Sequence, residues 1–302
     1  MTILITGATG LIGTELSQQL VPSGHTIHYL TTLKQKCVNE PHYNGLYWNI
    51  ARKEIDTACL EGVDIIVHLA GASIAKRWTK KYREEIISSR IDSANLLFDA
   101  LSRSNTKIKH FISASGTAIY PESYSTLYSE NNVDTASGFL ADVVKQWEAT
   151  ADKFLIFGKV TKVRTGVVLS SKGGALQPIL KPIAWGFGSY MGSGNQYMSW
   201  IHIQDLVNVY HYSIENALEG VVNGVAEEPV TNKKFTQCIA NLVKKPLILP
   251  AIPAFMLKLM LGQMSELILK SEKVTCQKLK NTEFRFTFKT IDEALIEILG
   301  KK

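Results

Sequence analysis

The sequence predicts an α/β fold with a parallel central sheet, and three features of its 302 residues support that prediction. The chain opens with a short β run, a glycine-rich turn, a helical pattern and a second β run. Near-continuous apolar runs, typical of strands covered on both faces, follow at intervals. Helical patterns lie between these runs without long gaps. Together these features predict a Rossmann-like, doubly wound parallel sheet that binds its ligand at the carboxyl ends of the strands.

The first βαβ unit is predicted at the N-terminus. Thr2 to Thr6 is a β run, and a helical pattern through Leu16 and Leu20 follows it. Gly24 ends the helix, and Thr26 to Leu30 is the second β run. A strand, a helix and a strand in this order are the repeating unit of a doubly wound sheet.

The turn between the first strand and its helix reads GATGLIG, with glycines at the spacing G-x-x-G-x-x-G. Gly7 permits the tight exit from the strand, Gly10 lets the backbone approach a pyrophosphate, and Gly13 lets the helix lie close to the sheet. A turn of purely structural importance is the alternative. We predict dinucleotide binding, and the residues of this loop that contact the cofactor are predicted to be Gly7, Thr9, Gly10, Leu11, Ile12 and Gly13.

The end of the second strand indicates which dinucleotide is bound. An NAD-selective enzyme places Asp or Glu there to hold the ribose 2′-hydroxyl, whereas this chain has Thr31, Thr32, Lys34 and Lys36. Hydroxyls and lysines accommodate a 2′-phosphate better than a carboxylate does. The sequence therefore favours NADP, as NADPH, over NAD, unless the two lysines simply face water.

Three later strands and two helices continue the pattern. Strands are predicted at Val63 to Ala72, Lys109 to Gly116 and Thr161 to Ser170, and helices from about Lys80 to Ser102 and from about Gly138 to Phe154. The ends of these strands carry small residues or hydroxyls, which suit close approach to a ligand. The strand-end residues predicted to face the ligand are Leu69, Ala70, Gly71, Ser113 and Ser115.

The distribution of charged residues and cysteines argues against a nucleic-acid-binding protein and against a metal site. Lysine and arginine exceed aspartate and glutamate by six, but the basic residues are scattered, which predicts a solvated surface and no nucleic-acid partner. The four cysteines are widely separated, and no His/Cys spacing suits a metal ion. The sequence therefore predicts reduced thiols and no metal site.

Neither a signal peptide nor a membrane span is expected. The start MTILITGATG lacks a basic n-region and a long apolar h-region. The most apolar part, Leu247 to Leu269, is interrupted by Pro250, Pro253 and charged residues, so it predicts a partly buried helix rather than a span. A cytoplasmic protein without a membrane partner is expected.

Blocks spread along the chain carry a family resemblance. They are GATGLIG, HLAGASIAKRWTKKYREEIISSRI, ISASGTAIY, GFLADVVKQWEA, VRTGVVLSSKGGAL, GSGNQYMSWIHIQDL and PAFMLKLMLGQMSELILKSEKV. They resemble the atypical short-chain dehydrogenase/reductases usually named epimerase family proteins, including their C-terminal segment of unknown function. The resemblance implies an NADP-binding Rossmann domain of residues 1–170 and 198–226, with a small discontinuous C-terminal cap of residues 171–197 and 227–302. Ser171 to Gly174 resembles a family block that borders the site.

The resemblance also shows what is missing. Ordinary extended members of the superfamily carry a Tyr-x-x-x-Lys pair on the helix after the serine-containing strand: the tyrosine exchanges the substrate proton and the lysine lowers its pKa. If Glu148 matches the acidic residue that often follows that lysine, Leu140 and Val144 stand in place of the pair. The sequence therefore does not predict the standard ketone/alcohol mechanism.

Other residues are candidates to replace the pair. Tyr120 follows the serine-containing strand, and its phenol is a candidate proton donor, with a packing role as the alternative. Ser113 and Ser115 are candidates to orient a carbonyl, or else they satisfy local backbone groups. The resemblance suggests that Arg90 faces the cofactor or the site; an ion pair on the helix surface with Glu84 or Glu85 is the alternative. Trp78 is a candidate wall of the substrate pocket or a core residue, and Asp205 is predicted to cap a helix.

Two functions follow from these patterns. One is an NADP-dependent oxidoreductase or epimerase-like enzyme that acts on a small polar molecule. The other is a cofactor-binding regulator or interaction protein that lacks the chemistry. The enzyme is favoured because the polar strand ends and the cap are retained, and a homodimer is left open.

Overall fold

The computed structural model describes residues 1–300, and its central feature is a parallel sheet flanked by helices. The strands are β1 Thr2–Thr6, β2 Thr26–Thr31, β3 Asn39–Glu40, β4 Tyr43–Asn49, β5 Glu54–Ile55, β6 Ile65–His68, β7 His110–Gly116, β8 Lys159–Thr165, β9 Val167–Leu169, β10 Tyr197–Met198, β11 Trp200–His202, β12 Gly220–Gly224 and β13 Val230–Thr231. The helices are α1 Leu11–Leu20, α2 Lys80–Arg103, α3 Phe139–Asp152, α4 Leu176–Ala184, α5 Ile203–Glu215, α6 Asn232–Leu242, α7 Ala254–Leu261, α8 Glu266–Leu269, α9 Gln277–Lys280 and α10 Ile291–Gly300.

The main sheet has the order β12-β8-β7-β6-β1-β2-β4-β3, with β5 also paired to β4. The strands from β12 to β4 run parallel, and only the short β3 and β5 are antiparallel to their neighbour. From β1 the chain first builds towards β2 and β4 and then returns to β6 on the other side of β1. This reversal confirms the predicted doubly wound sheet and creates a crevice beside the carboxyl end of β1.

Both faces of the sheet are buried because apolar residues alternate between two cores. In β1, Ile3 and Ile5 pack into the core that includes helices α1 and α5, whereas Leu4 packs into the core on the side of α2. Leu97 of α2 and Phe111 of β7 belong to that second core. A strand that is apolar on both faces is stable only between two helical layers.

Two predicted strands are shorter than expected. The strand predicted at Val63 to Ala72 ends at His68, because the next residues leave the sheet and lie over the glycine loop. The strand predicted at Thr161 to Ser170 is divided at Gly166, where an added Cβ would lie 2.4 Å from the carbonyl oxygen of Ser199. The chain after Gly166 forms β9, which pairs with β11 outside the main sheet.

The C-terminal region has a core of its own. Leu176, Phe235, Ile239 and Leu295 belong to this third apolar cluster. Residues 274–286, however, pack into the main core through side chains such as Phe284. Residues 274–286 therefore attach the predicted cap to the core of the parallel sheet.

The partly buried helix predicted within Leu247 to Leu269 corresponds to α7, which is exposed over most of its surface. Only Leu257 of α7 is buried, whereas Phe255, Leu259 and Met260 are exposed. Within residues 1–300 no helix has both the length and the hydropathy needed to cross a membrane.

Candidate functional site

The glycine loop forms a cradle at the start of α1. Gly7 adopts φ +73°, and a Cβ added to it would lie 2.9 Å from the carbonyl carbon of Leu69. A Cβ on Gly13 would lie 2.3 Å from the carbonyl oxygen of Gly7. Both glycines therefore allow contacts that no other residue permits.

The N-terminus of α1 is open to a ligand. Gly10 precedes the helix and is exposed, and within residues 1–300 no side chain caps this end through a hydrogen bond. The first turn contains no acidic residue, so the positive end of the helix dipole is not neutralised locally. Leu11 and Ile12 are half-buried and Thr9 is exposed, so their backbone groups lie at the surface of the cradle. This geometry suits a pyrophosphate.

A buried polar network holds the loop that lies over Gly7. Thr6 and His68 are register partners at the ends of β1 and β6, and Thr6 Oγ1 lies 2.8 Å from His68 Nδ1. The same Thr6 oxygen accepts a hydrogen bond from the backbone nitrogen of Ala70 at 3.2 Å. Leu69 and Ala70 are half-buried and Gly71 is exposed. The predicted ligand-facing residues of this strand end therefore border the cradle.

Arg90 supports the same loop instead of forming a helix-surface ion pair. Its guanidinium donates to the carbonyl oxygens of Ile86 and Ala72, at 2.9 and 3.1 Å, and lies 4.9 Å from the centre of the Trp147 ring. Burial lowers the pKa of Arg90 to about 10. A Cβ on Gly71 would lie 3.0 Å from the guanidinium carbon, so Arg90 lies directly behind the loop.

The end of β2 presents the groups that were predicted to select the cofactor. Thr31 is buried, and its hydroxyl oxygen accepts a hydrogen bond from the backbone nitrogen of Leu33. Thr32 and Lys34 are exposed, and the ammonium of Lys34 lies 5.0 Å from the centre of the Tyr47 ring. Of the predicted set, Thr32 and Lys34 are thus available to a ligand, while Thr31 shapes the turn.

The serine at the end of β7 is part of a buried ion-pair network. Ser115 donates to Glu148 Oε1 at 2.6 Å, and Arg164 donates to both oxygens of the same carboxylate at 2.8 Å. Ser113 is buried and donates to the carbonyl oxygen of Ala114. Both serine hydroxyls already donate hydrogen bonds within the protein, and these bonds stabilise the end of β7.

Tyr120 lies in the core and not at the open edge. Its side chain is fully buried, its hydroxyl donates to Asn223 Oδ1 at 2.9 Å, and the guanidinium of Arg164 lies 5.0 Å from the ring centre. Burial raises the pKa of Tyr120, although Arg164 and Asn223 oppose the rise. This environment matches the packing alternative and gives no support to a proton-donor role.

The positions of the missing pair are occupied by packing residues. Leu140 and Val144 on α3 are buried, and a Cβ on Gly116 would lie 3.5 Å from a methyl group of Val144. Trp78 packs edge-on against Phe139, at 5.1 Å between ring centres, and is half-buried. The first turns of α3 are thus covered by apolar contacts.

The C-terminal segment brings charged residues to the edge after β7, and sequence reasoning did not assign them. Thr117 donates to Glu272 Oε2 at 2.6 Å, and Lys270 lies 3.4 Å from Glu272 Oε1. Lys270 also donates to two carbonyl oxygens of the turn after β7. Burial and the carboxylates of Glu272 and Glu122 raise the pKa of Glu266, against the effect of Lys270. The stretch SELILKSEK contained the only sequence sign, four charged side chains in a partly apolar segment.

A loop from the predicted cap contacts α1. Lys172 forms an ion pair with Glu15 at 2.6 Å, and added Cβ atoms on Gly173 and Gly174 would lie within 3.9 Å of Leu11 methyl groups. The predicted border segment Ser171 to Gly174 therefore lies beside the cradle.

The segment that returns to the sheet differs from the prediction. His202 ends β11 and caps α5, since its Nδ1 accepts a hydrogen bond from the backbone nitrogen of Gln204. Asp205, predicted as the cap, instead accepts from the backbone nitrogens of Thr287 and Phe288. Asp205 thereby ties the C-terminal region to α5.

Comparisons with known proteins agree with this architecture. The profile described as NAD dependent epimerase/dehydratase family matches residues 3–138, and that of a domain of unknown function matches residues 252–298. An epimerase family protein of Staphylococcus aureus is 33% identical over 300 residues, which cover 99% of each chain. The Arabidopsis thaliana protein named epimerase family protein SDR39U1 homolog, chloroplastic, is 34% identical over 305 residues, 99% of this chain and 87% of its own.

A solved structure extends the similarity to three dimensions. The crystal structure of human epimerase family protein SDR39U1 (isoform 2) with NADPH superposes with a TM-score of 0.86 at 28% identity. The superposition covers all of both chains. The two chains therefore share one overall fold along their whole length.

Proposed function

Because the chain belongs to the NAD-dependent epimerase/dehydratase family, among the atypical short-chain dehydrogenase/reductases named epimerase family proteins, we propose that it is an NADPH-dependent enzyme acting on a small polar substrate. The observation that carries the proposal is the cradle at the start of α1, where Gly7, exposed Gly10 and Gly13 leave an uncapped helix end open to phosphate. The human relative whose structure contains NADPH has the same overall fold.

The residues around the cradle would hold the pyrophosphate and a neighbouring ribose of the cofactor. The exposed Gly10 and the first turn of α1 would bind the pyrophosphate through backbone N–H groups, and the loop Leu69 to Gly71, held by Thr6 and Arg90, would lie along the adjacent ribose. A bound nicotinamide would supply a hydride acceptor or donor. The buried sheet edge would exclude water from that exchange.

Thr32 and Lys34 support NADPH over NADH, since both are exposed at the end of β2 and that turn has no carboxylate. Lys34→Glu should weaken NADPH binding by about tenfold or more and leave NADH binding nearly unchanged. The tenfold loss corresponds to one charge contact of about 1.4 kcal/mol. Lys159→Glu, an exposed lysine at the amino end of β8, is the matched control and should change neither affinity. Equal losses for both cofactors in Lys34→Glu would contradict this assignment.

Charged residues of the C-terminal segment, which lie beside the turn after β7, would exchange the substrate proton. Glu266 is half-buried with a raised pKa, and Thr117, Glu272 and Lys270 form a connected set of hydrogen bonds beside it. A carboxyl group whose pKa is raised holds its proton more readily than an ordinary carboxylate, which suits it to give or take a proton. Glu266→Gln should therefore reduce kcat while NADPH affinity stays unchanged, which steady-state kinetics and a binding titration separate.

The second candidate function is a cofactor-binding regulator without turnover. The observation in its favour is that buried Leu140 and Val144 stand where a catalytic tyrosine and lysine would be, and that Tyr120 is enclosed in the core.

The four cysteines are unpaired in the described part of the chain, which supports the proposed location in a reducing compartment such as the cytoplasm.

One experiment distinguishes the two functions. The purified protein is titrated with NADPH and NADH by fluorescence, and a panel of carbonyl compounds and nucleotide sugars is then added to the NADPH complex. Binding of NADPH followed by its oxidation supports the enzyme. Binding without turnover across the panel supports the regulator, and the absence of binding contradicts both.

A further inference from the structure

Two histidines and a carboxylate meet at the edge of the sheet opposite the cradle. His25 directly precedes β2, so it lies at the amino ends of the strands, whereas the cradle lies at their carboxyl ends. His211 and Glu215 lie one turn apart on α5. Residues four apart on a helix present their side chains on the same face. The three residues come from segments almost two hundred positions apart in the sequence.

The distances among these side chains are close to those of a metal-binding triad. His25 Nε2 lies 3.1 Å from Glu215 Oε1, and His211 Nε2 lies 3.9 Å from the same oxygen. One ligand atom from each residue lies within 4.8 Å of the other two. Tetrahedral Zn²⁺ with ligands at about 2.0–2.1 Å separates its ligand atoms by about 3.3 Å. Reaching that spacing requires side-chain rotations of His211 and Glu215, which are 24% and 46% exposed.

The surroundings of the histidines also suit a metal ion. The amide of Gln19 lies 2.8 Å from His211 Nδ1, and it belongs to a chain of amides with Asn208 and Gln204. Turning these amides by 180° presents a carbonyl oxygen to an Nδ1–H, which leaves Nε2 free as a ligand. His25 is 6% exposed, and within residues 1–300 its Nδ1 is a buried polar atom without a hydrogen-bond partner. The contact with Glu215 therefore leaves the imidazole of His25 incompletely satisfied, and its Nε2 faces the Glu215 carboxylate.

We propose that His25, His211 and Glu215 form a binding site for a divalent transition metal ion of the zinc class, with one position open to water. Two imidazoles and a carboxylate are a donor set that Zn²⁺ accepts, whereas Mg²⁺ and Ca²⁺ prefer oxygen ligands. The site joins the start of β2 to the C-terminal turn of α5. Because it lies at the other end of the strands from the cradle, the bound ion cross-links the fold and takes no part in the cofactor chemistry.

The test uses the full chain after removal of metal ions with a chelator. Zn²⁺ is titrated by calorimetry, and Co²⁺ by its visible absorption, which reports tetrahedral coordination by nitrogen and oxygen. We expect one equivalent of Zn²⁺ to bind and to raise Tm. His211→Ala and Glu215→Gln should each weaken binding by at least about tenfold, since even outer partners of metal ligands affect affinity that much.

His28→Gln is the control variant, because His28 is half-buried near the same strand and bonds to the carbonyl oxygen of Cys59 instead of joining the triad. Its Zn²⁺ affinity should equal that of the unmodified protein. His211 and Glu215 are not fully buried, so circular dichroism should show that both variants are folded. The absence of stoichiometric Zn²⁺ binding, or equal binding in His211→Ala and Glu215→Gln, would overturn the proposal. A thiolate charge-transfer band with Co²⁺ would also overturn it, since that band assigns the ion to cysteine.

Discussion

Replacing Arg164 by methionine should lower the free energy of unfolding by about 3–5 kcal/mol. Arg164 on β8 donates to both carboxylate oxygens of Glu148 at 2.8 Å, and the two side chains are only 10% and 9% exposed. Methionine retains an apolar stem of similar length but removes the charge. The Glu148 carboxylate then keeps the hydrogen bond from Ser115 and loses its counter-ion.

The magnitude follows from the contacts that are lost. Each hydrogen bond to a charged group contributes about 1.5–3 kcal/mol, and leaving one member of a buried ion pair unpaired costs about 3–5 kcal/mol in total. The guanidinium also lies over the Tyr120 ring, which adds about 0.5–1 kcal/mol. Urea unfolding at pH 7, followed by tryptophan fluorescence and circular dichroism, measures the difference.

Two control variants test the reasoning. Lys172→Met removes an ion pair with Glu15 whose lysine is 64% exposed, and it should cost less than about 1 kcal/mol. Adding Glu148→Gln to Arg164→Met removes the unpaired charge and should recover most of the lost stability. A loss of under about 1 kcal/mol in Arg164→Met, the size of a surface pair, would refute the assignment of a buried network.

Three further predictions concern other parts of the fold. Gly13→Ala should cost about 1–3 kcal/mol in urea unfolding and weaken NADPH binding, because its Cβ would lie 2.3 Å from a backbone oxygen; unchanged values in both assays would contradict the packing of the cradle. Tyr120→Phe should cost about 1–3 kcal/mol by leaving a buried amide oxygen without its donor, while the rate of NADPH oxidation stays the same; a loss of rate without a loss of stability would restore a catalytic role. As the pH falls from 6.5 towards 4, stability should decrease by up to about 1.4 kcal/mol per pH unit for each of His68 and His110. Burial lowers the pKa of both to about 4, so only the unfolded chain binds these protons; urea titrations across this range should show the slope, and a flat profile would show that these histidines are not buried as neutral side chains.

Most of the fold could be predicted from local patterns. The strand, glycine loop and helix from Thr2 to Leu20 are local features, and the two long helices after β6 and β7 were predicted to within two residues of their ends. The errors occurred where distant residues decide the geometry. Gly166 ends β8 because of Ser199, and Asp205 is held by backbone groups more than eighty positions away.

The site was predictable only in part, for the same reason. The glycine loop and the absence of a Tyr/Lys pair are readable in the sequence, whereas the burial of Tyr120 depends on Asn223 and Arg164. No His/Cys spacing in the sequence predicted a metal site. His211 and Glu215 do have a helical spacing of four, but their partner His25 joins them only through the packing of α5 against α1.

The central claim is that the open N-terminus of α1 binds the pyrophosphate of NADPH, and Gly10→Asp tests it most directly. Gly10 has φ −88° and ψ 177°, a backbone that any residue adopts, and aspartate is favoured at the residue before a helix. A Cβ added to Gly10 would lie 3.2 Å from the carbonyl oxygen of Gly7, so the favourable helix cap offsets a close contact and the variant should still fold. Its carboxylate would occupy the phosphate position and repel the phosphate. The decisive measurement is a fluorescence titration with NADPH, after urea unfolding has shown that the variant is folded: we predict saturable binding by the unmodified protein and at least about a hundredfold weaker binding by the folded variant. Equal affinity in the two proteins would contradict the claim.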